Sequence, residues 1–543
     1  MKKNNFIDGA IISTISLIIC KILGLIYVIP FYKIIGTEGG ALYSYAYSIY
    51  AMFLNLSTVG IPSAIAKIIS EYDTLNYQSS KLNAYRIASK LLNIVGIISF
   101  IIMFTFAPNL ANSIIGGVEG GNSVENVTTA IRVVSTALLI VPRLSIVKGY
   151  FQGNKYLTES SLSAIIEQLI RIIVIIVGSF VTVKIFNLPV EYAVYIATFG
   201  ATIGALSAYI YLKIKSKDVI KKDEKVVKTK EEEQLTTKVI IKKIIVYAIP
   251  FVIMALLQSA YNVVDTFTLV KTLTKLGYET SVAETTIGVM TTWGSKLNMI
   301  VISLSIGLTG SLIPNVVGSY TKGDFKDIND KLNLSFKMLL FTTIPMAFGM
   351  SFLSEVVWHV FYGIDELSVN IFTIYILQVI VYGLFTTITT ITQSMNQTKI
   401  TIGCLFTSFI LKFILNIPAM HLFKTIGIPS YYAPTVVDAF VVFTSLLLAL
   451  FILKKKFKFE YKELLPFILK ILLGLIAMLI SLTLLKLVYY NNDTVFTAII
   501  TIILYTIVGA FIYFLVINKF KLLENVFGND YKSKLLKRIK IRR

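Results

Sequence analysis

Four basic residues stand inside long apolar runs, where a charge is costly: Lys21, Arg171, Lys296 and Lys412. Lys21 lies in the middle of "STISLIICKILGLIYVIPF" (13–31). A lysine at the centre of a bilayer costs roughly 2.5–3.5 kcal/mol on insertion scales. About 15 residues separate it from Phe6, roughly 22 Å along a helix, which is too far for snorkelling to span alone. Buried ionisable residues in such runs face a bundle interior or a watery cavity, and a functional site is the default reading. A cavity lined by lysine and arginine suits an anion, above all a phosphate or pyrophosphate. A cavity for cationic compounds needs buried acids instead.

Acids near these cations leave two readings open. Glu167 precedes Arg171 by four residues, the spacing at which opposite charges neutralise each other along a helix face. Glu167 is therefore either a local counter-ion or a further substrate contact. Neither Lys21 nor Lys296 has an acid three or four residues away. Asp265 and Asp438, in other apolar runs, suit a sodium ion or proton, or a pairing with the lysines. Asn416 and Thr435 would add oxygen ligands to a sodium site. Lys67, Arg143 and Lys148 lie near the ends of their runs and read as interfacial anchors.

Other chemistries are poorly served. Cys20 and Cys404 are single cysteines without metal-ligand spacing, and read as small buried hydrophobes. His359 and His421 are isolated, so neither a zinc site nor a histidine triad assembles. No GxxxxGK[ST] loop is present, so energy must come from Na+ or H+ gradients, the membrane potential or the substrate gradient. No cofactor or metal is expected. The only tempting acid pair for an enzyme is Asp365 and Glu366, and the expectation is a transporter without catalysis.

The elements that must position these residues are membrane-spanning helices. Of 543 residues, 55% are hydrophobic and only 15% charged, and the mean hydropathy is +0.76. A soluble fold could not cover its surface with that composition, and a β-barrel would alternate in short strands. The chain reads as an all-α polytopic membrane protein with about fourteen spans. They fall near 7–35, 41–70, 87–107, 128–150, 157–184, 190–212, 243–272, 285–318, 332–361, 367–394, 399–420, 431–453, 463–489 and 494–518. The first run is longer than a signal-peptide core and should remain as a span.

The net charge of +21 follows the positive-inside rule and argues against nucleic acid. Lys2-Lys3, the 71–86 and 213–243 loops, "KKKFKFEYK" (454–462) and the basic tail fall on one side, which puts both termini in the cytoplasm. The opposite loops, such as "GGVEGGNSVEN" (116–126), are poor in basic residues. The expected division is an N-terminal lobe of six spans (1–212), a charged linker (213–242), a second lobe of six (243–453), a final helix pair (454–518) and a basic tail (519–543). The lobes are weakly self-similar: 56–72 aligns with 304–320, and 151–171 with 392–412, setting Gln152 against Gln393 and Arg171 against Lys412. Parallel repeats of this kind place a substrate cavity between two lobes. Gly24, Pro30, Gly60, Pro62, Pro250, Gly307, Gly310 and Pro314 are candidate bends.

Three stretches carry a resemblance: 36–72, "KGYFQGNKYLTESSLSAIIEQLIRI" (148–172) and "VVDTFTLVKTL" (263–273). The chain resembles the polysaccharide-biosynthesis branch of the multidrug/oligosaccharidyl-lipid/polysaccharide (MOP) exporter superfamily. Within it, the resemblance is nearest to the lipid II flippases of MurJ type and the stage V sporulation protein B group. That resemblance implies two six-helix lobes, with a C-terminal helix pair forming a groove for a lipid tail. It implies alternating access in a bacterial plasma membrane, moving undecaprenyl-pyrophosphate-linked peptidoglycan precursor between leaflets. It implies membrane lipids and cell-wall synthesis proteins as partners. "CKILG" and "GSKLNMI" match the family's cationic motifs in spans one and eight, giving Lys21 and Lys296 as substrate contacts. Tyr27 stands at the second cationic position of span one, and the cation of span two has no counterpart. The family's sodium site draws on spans seven, eleven and twelve, where Asp265, Asn416, Thr435 and Asp438 lie. The alternatives are export of another undecaprenyl-linked oligosaccharide (capsule, teichoic or spore-cortex precursor) and a cation/drug antiporter of the same fold.

Overall fold

A computed structural model describes residues 6–58, 60–224 and 236–527, and among them all regular structure is helical. Lys2-Lys3, the middle of the charged linker and most of the basic tail lie outside the described residues. Twelve described helices are long and apolar enough to cross a membrane, with a shorter apolar one at Ile11–Ile26. About fourteen spans were expected. One of the twelve, Val28–Thr74, joins the end of the first expected span to the second. The expected eighth span is also interrupted, by a wide π turn at Val289–Trp293.

The chain divides into two compact units, Met1–Trp293 and Gly294–Arg543. The first holds α1 (Phe6–Ile26), α2 (Val28–Thr58), α3 (Gly60–Thr74), α4 (Gln78–Thr105), α5 (Ala107–Ile115) and α6 (Val124–Ser135). It continues with α7 (Val141–Gly153), α8 (Leu157–Ile173), α9 (Val190–Glu224), α10 (Thr237–Lys275) and α11 (Thr280–Gly288). Pro30 has no N–H to give to Ile26, and the helix breaks at Tyr27 just before it. The turn between the first two expected spans is at Gly36, whose φ of 64° suits a residue without a Cβ. One end of the unit is a core drawn from α3, α4, α7, α9 and α10, including Ile65, Tyr72, Leu92, Phe151, Leu212 and Ile244. Val219 and Ile240 join it. Helix therefore runs into the expected linker from both sides, because these two apolar side chains anchor its ends.

The second unit holds α12 (Gly294–Thr321), α13 (Phe325–Phe352), α14 (Ser354–Tyr362), α15 (Glu366–Tyr375) and α16 (Val379–Ser394). It ends with α17 (Thr398–Thr425), α18 (Ala433–Phe457), α19 (Leu464–Val488), α20 (Val495–Lys519) and α21 (Leu522–Phe527). The side chains at 304–315, including Pro314, are outside the described set. α19 and α20 form a hairpin packed on α13 and α14. The Tyr513 hydroxyl donates to the Phe341 carbonyl at 2.9 Å, while Leu469, Ile480, Phe511 and other apolar side chains stay exposed.

The weak sequence repeat has a backbone counterpart. In the first unit, helices end at Asn76 (φ 60°) and Lys155 (φ 64°); in the second, at Gly323 (φ 72°) and Asn396 (φ 57°). Each time the next residue donates its N–H five positions back: Tyr77 to Tyr72, Tyr156 to Phe151, Asp324 to Ser319 and Gln397 to Thr392. These are Schellman-type helix ends. Lys155 and Asn396 occupy matching positions in the aligned windows, so the repeat preserves a turn more faithfully than its side chains.

Close packing in the first unit gives a direct test. A Cβ on Gly40 would lie 2.4 Å from the indole nitrogen of Trp293, and Trp293 is fully buried. Gly40→Ala should destabilise the fold by about 1–3 kcal/mol, read as a lower thermal midpoint of the purified protein, whereas Gly349→Ala, with open space around its Cβ position, should show little of this clash.

Candidate functional site

Arg171 sits in α8 of the first unit, and its partners are phenols. Its guanidinium donates to the Tyr47 hydroxyl and lies 5.1 Å from the centre of the Tyr47 ring. Tyr27, Tyr43 and Tyr50 complete its surroundings. Tyr43 and Tyr47 stack with centroids 5.2 Å apart, and Tyr47 meets Tyr50 edge-on at 5.3 Å. These rings come from "LYSYAYSIY" (42–50), where positions 43, 47 and 50 share one helix face. Gly204 on α9 lets the neighbouring backbone approach, since a Cβ there would lie 2.9 Å from the Cβ of Arg171. Among the described residues Arg171 has no carboxylate partner. The guanidinium keeps its full charge because phenols stabilise a cation without cancelling it.

Glu167 does not serve as its counter-ion. The Glu167 carboxylate accepts from Lys148 Nζ on α7 at 2.7 Å. Lys148, expected as an interfacial anchor, thus belongs to the same site. The other two expected anchors also have partners, Arg143 at Asn93 Oδ1, 3.0 Å away, and the exposed Lys67 over the Tyr247 ring at 4.2 Å. The Lys148–Glu167 pair opens into a cavity of about 310 Å³ lined by Thr58, Ser63, Ser145 and Gln152 among others. Cys20 on α1 neighbours the same pair and is half-buried, unlike Cys404. Lys21, the next residue, is also half-buried. Lys296 lies half-buried on α12 in the second unit.

In the second unit α17 packs on α18, and Lys412 Nζ meets Asp438 Oδ1 at 2.6 Å. Both residues are buried, as are Asn416, one turn further along α17, and Thr435, just before Asp438 on α18. The charge of Asp438 is balanced by a tethered ammonium, so an added cation there has to displace it. Asp265, also buried, lies on α10 in the first unit. Positions that align in the two repeats therefore differ in charge balance: Arg171 is held by neutral groups and Lys412 by an acid.

Sequence reasoning missed the tyrosine face and also Glu284. This carboxylate on α11 is buried, and its Oε1 accepts from the Asn122 backbone and side-chain nitrogens, each at 3.0 Å. Asn122 also donates to the Glu38 carbonyl at 3.0 Å, and Tyr45 approaches Glu284 at 3.4 Å. The glycine-rich 116–123 loop is thereby fastened to α2 and α11. The run of glycines ending in Asn122 was the available signal.

An all-helical fold with twelve described helices long and apolar enough to cross a membrane defines a multi-pass membrane protein. Two solved structures share the fold. "Lipid II flippase MurJ, inward closed conformation" superposes with a TM-score of 0.68 at 18% identity, covering 94% of this chain and 98% of that one. An inward-facing multidrug resistance MATE family transporter gives 0.63 at 12% identity, covering 82% and 98%. The chain belongs to the polysaccharide biosynthesis protein family, whose profile matches residues 6–317; the MatE profile matches 250–417. It is 30% identical to the lipid II flippase MurJ of Bacillus subtilis (strain 168) over 521 residues, 93% of this chain and 94% of that one. It is 26% identical to stage V sporulation protein B of the same organism over 216 residues, 39% of each chain.

The buried pair makes its own prediction. Lys412→Met leaves Asp438 as an uncompensated buried charge and should cost about 3–5 kcal/mol, whereas the double variant Lys412→Met/Asp438→Leu should recover most of that loss. Thermal unfolding of the purified variants measures both.

Proposed function

We propose that this protein is a flippase for an undecaprenyl-pyrophosphate-linked peptidoglycan precursor, lipid II, in the plasma membrane of a bacterium. The observation that carries the reading is the Arg171 guanidinium, set among tyrosines without a carboxylate partner. A cation kept charged inside a membrane protein is suited to a phosphate or pyrophosphate. Lys21 and Lys296 are the further headgroup contacts in this reading, with Glu167 acting through Lys148. Lys412 plays a different part, since Asp438 already holds it. The similarity to the Bacillus subtilis MurJ along nearly the whole chain supports the same substrate class.

The lipid tail stays in the bilayer along α19 and α20, whose outer faces are apolar. Both termini are cytoplasmic, and cell-wall synthesis proteins are the natural partners. The ammonium on Asp438 favours protons or the membrane potential over sodium as the energy source at that position. A second reading, another undecaprenyl-linked oligosaccharide such as a spore-cortex precursor, is favoured only by the partial match to stage V sporulation protein B. A cation/drug antiporter fits poorly, because among the described residues the acids beside these cations, Glu167 and Asp438, are each paired with a lysine.

In a strain depleted of its flippase, the wild-type gene should restore exposure of the precursor at the outer surface. Arg171→Gln, Lys21→Ala and Lys296→Ala variants at normal membrane levels should each fall by about tenfold or more, the loss expected for one charge-assisted contact. Full rescue by all three would overturn the site assignment.

A further inference from the structure

We propose that the cavity beside the Lys148–Glu167 pair is a subsite for the peptide portion of the lipid-linked substrate, a group that brings both a carboxylate and N–H donors. The inference rests on the flippase reading above and names what that site recognises beyond pyrophosphate. Its first support is a contrast between two ion pairs of the same chemistry. The Lys412 and Asp438 side chains are 1% and 7% exposed, sealed between α17 and α18. Those of Lys148 and Glu167 are 22% and 26% exposed and line a cavity of about 310 Å³. That is the small end of the range for ligand pockets, enough for part of a headgroup. The first pair is closed to any ligand; the second can exchange partners.

Donor and acceptor accounting selects the ligand. The Thr58 hydroxyl donates to the Leu54 carbonyl at 2.7 Å, and the Ser145 hydroxyl to the Val141 carbonyl at 2.8 Å. Gln152 Nε2 donates to Ser160 Oγ at 3.2 Å. With those hydroxyl hydrogens spent inside their helices, Thr58 and Ser145 offer lone pairs to the cavity, as does Glu167; Gln152 keeps a carbonyl oxygen and one further N–H, and Lys148 is the charged donor. A phosphate, which only accepts hydrogen bonds, would meet Lys148 and one N–H of Gln152 but also a repelling carboxylate, and would leave the lone pairs of Thr58 and Ser145 unused. A peptide fits better: its N–H groups reach the acceptors and its carboxylate reaches Lys148. A sugar could use the hydroxyls but has no need of an ion pair.

The test uses the full chain in lipid nanodiscs and three synthetic ligands: an undecaprenyl-pyrophosphoryl disaccharide with its stem peptide, the same disaccharide without peptide, and undecaprenyl pyrophosphate. Wild-type protein should prefer the peptide-bearing ligand to the peptide-free one by about tenfold, and Lys148→Met/Glu167→Gln should bring that ratio to about threefold or less. Thr58→Val/Ser145→Ala keeps the ion pair and should lower the ratio in part; it decides the matter if the first variant does not fold. A wild-type ratio near one, or a ratio unmoved by both variants, would overturn the subsite. If wild-type protein distinguishes sugar-bearing ligands from undecaprenyl pyrophosphate but ignores the peptide, the cavity reads sugar and the proposal is wrong. If it binds none of the three, the flippase reading fails and the subsite falls with it.

Discussion

A charge inside a membrane protein has to be stabilised by something, and what stabilises it determines what it can do. In this chain the answer differs from cation to cation. Lys412 has a carboxylate and is electrically silent. Lys148 has a carboxylate too, but one shared with a cavity. Arg171 has aromatic rings and phenol oxygens, which lower the cost of burial while leaving a full positive charge. The helices around them are arranged accordingly: a glycine opposite Arg171, a tyrosine face on α2, and tight packing of α17 on α18.

This difference also separates the two halves of the weak internal repeat. The aligned windows keep the turn at Lys155 and Asn396 and keep a cation sixteen residues later in each. What has diverged is the partner. One repeat holds its cation among neutral phenols, and the other pairs the equivalent cation with a buried acid.

The all-helical class and the approximate span positions were legible in the sequence, because apolar runs of bilayer length admit few other structures. The cations were legible as well, since a lysine such as Lys21 is conspicuous in such a run. Their partners were much less so. Glu167 stood at the ideal helical distance from Arg171, yet its actual partner is on another helix, and local spacing cannot report that. The Lys412–Asp438 pairing was one of two readings for Asp438, and only tertiary packing of α17 on α18 favours it. The tyrosines of 43–50 look like ordinary core until a guanidinium is found against them. Glu284 was signalled only indirectly, by the glycine run ending in Asn122, because its donors come from that loop and from Tyr45, both more than a hundred residues earlier. Tyr27 is the instructive case: the resemblance leads one to expect a cation there, and the structure places one beside it, delivered from α8.

The two cysteines have a practical consequence. Cys404 is sealed in the second unit, whereas Cys20 is half-buried next to the Lys148–Glu167 pair and one residue from Lys21. The native chain therefore carries one accessible thiol at the edge of its candidate site, with little background from the other. A fluorophore or spin label attached at Cys20 would sense hydration and movement of α1 during turnover, and no cysteine-free version would have to be built first.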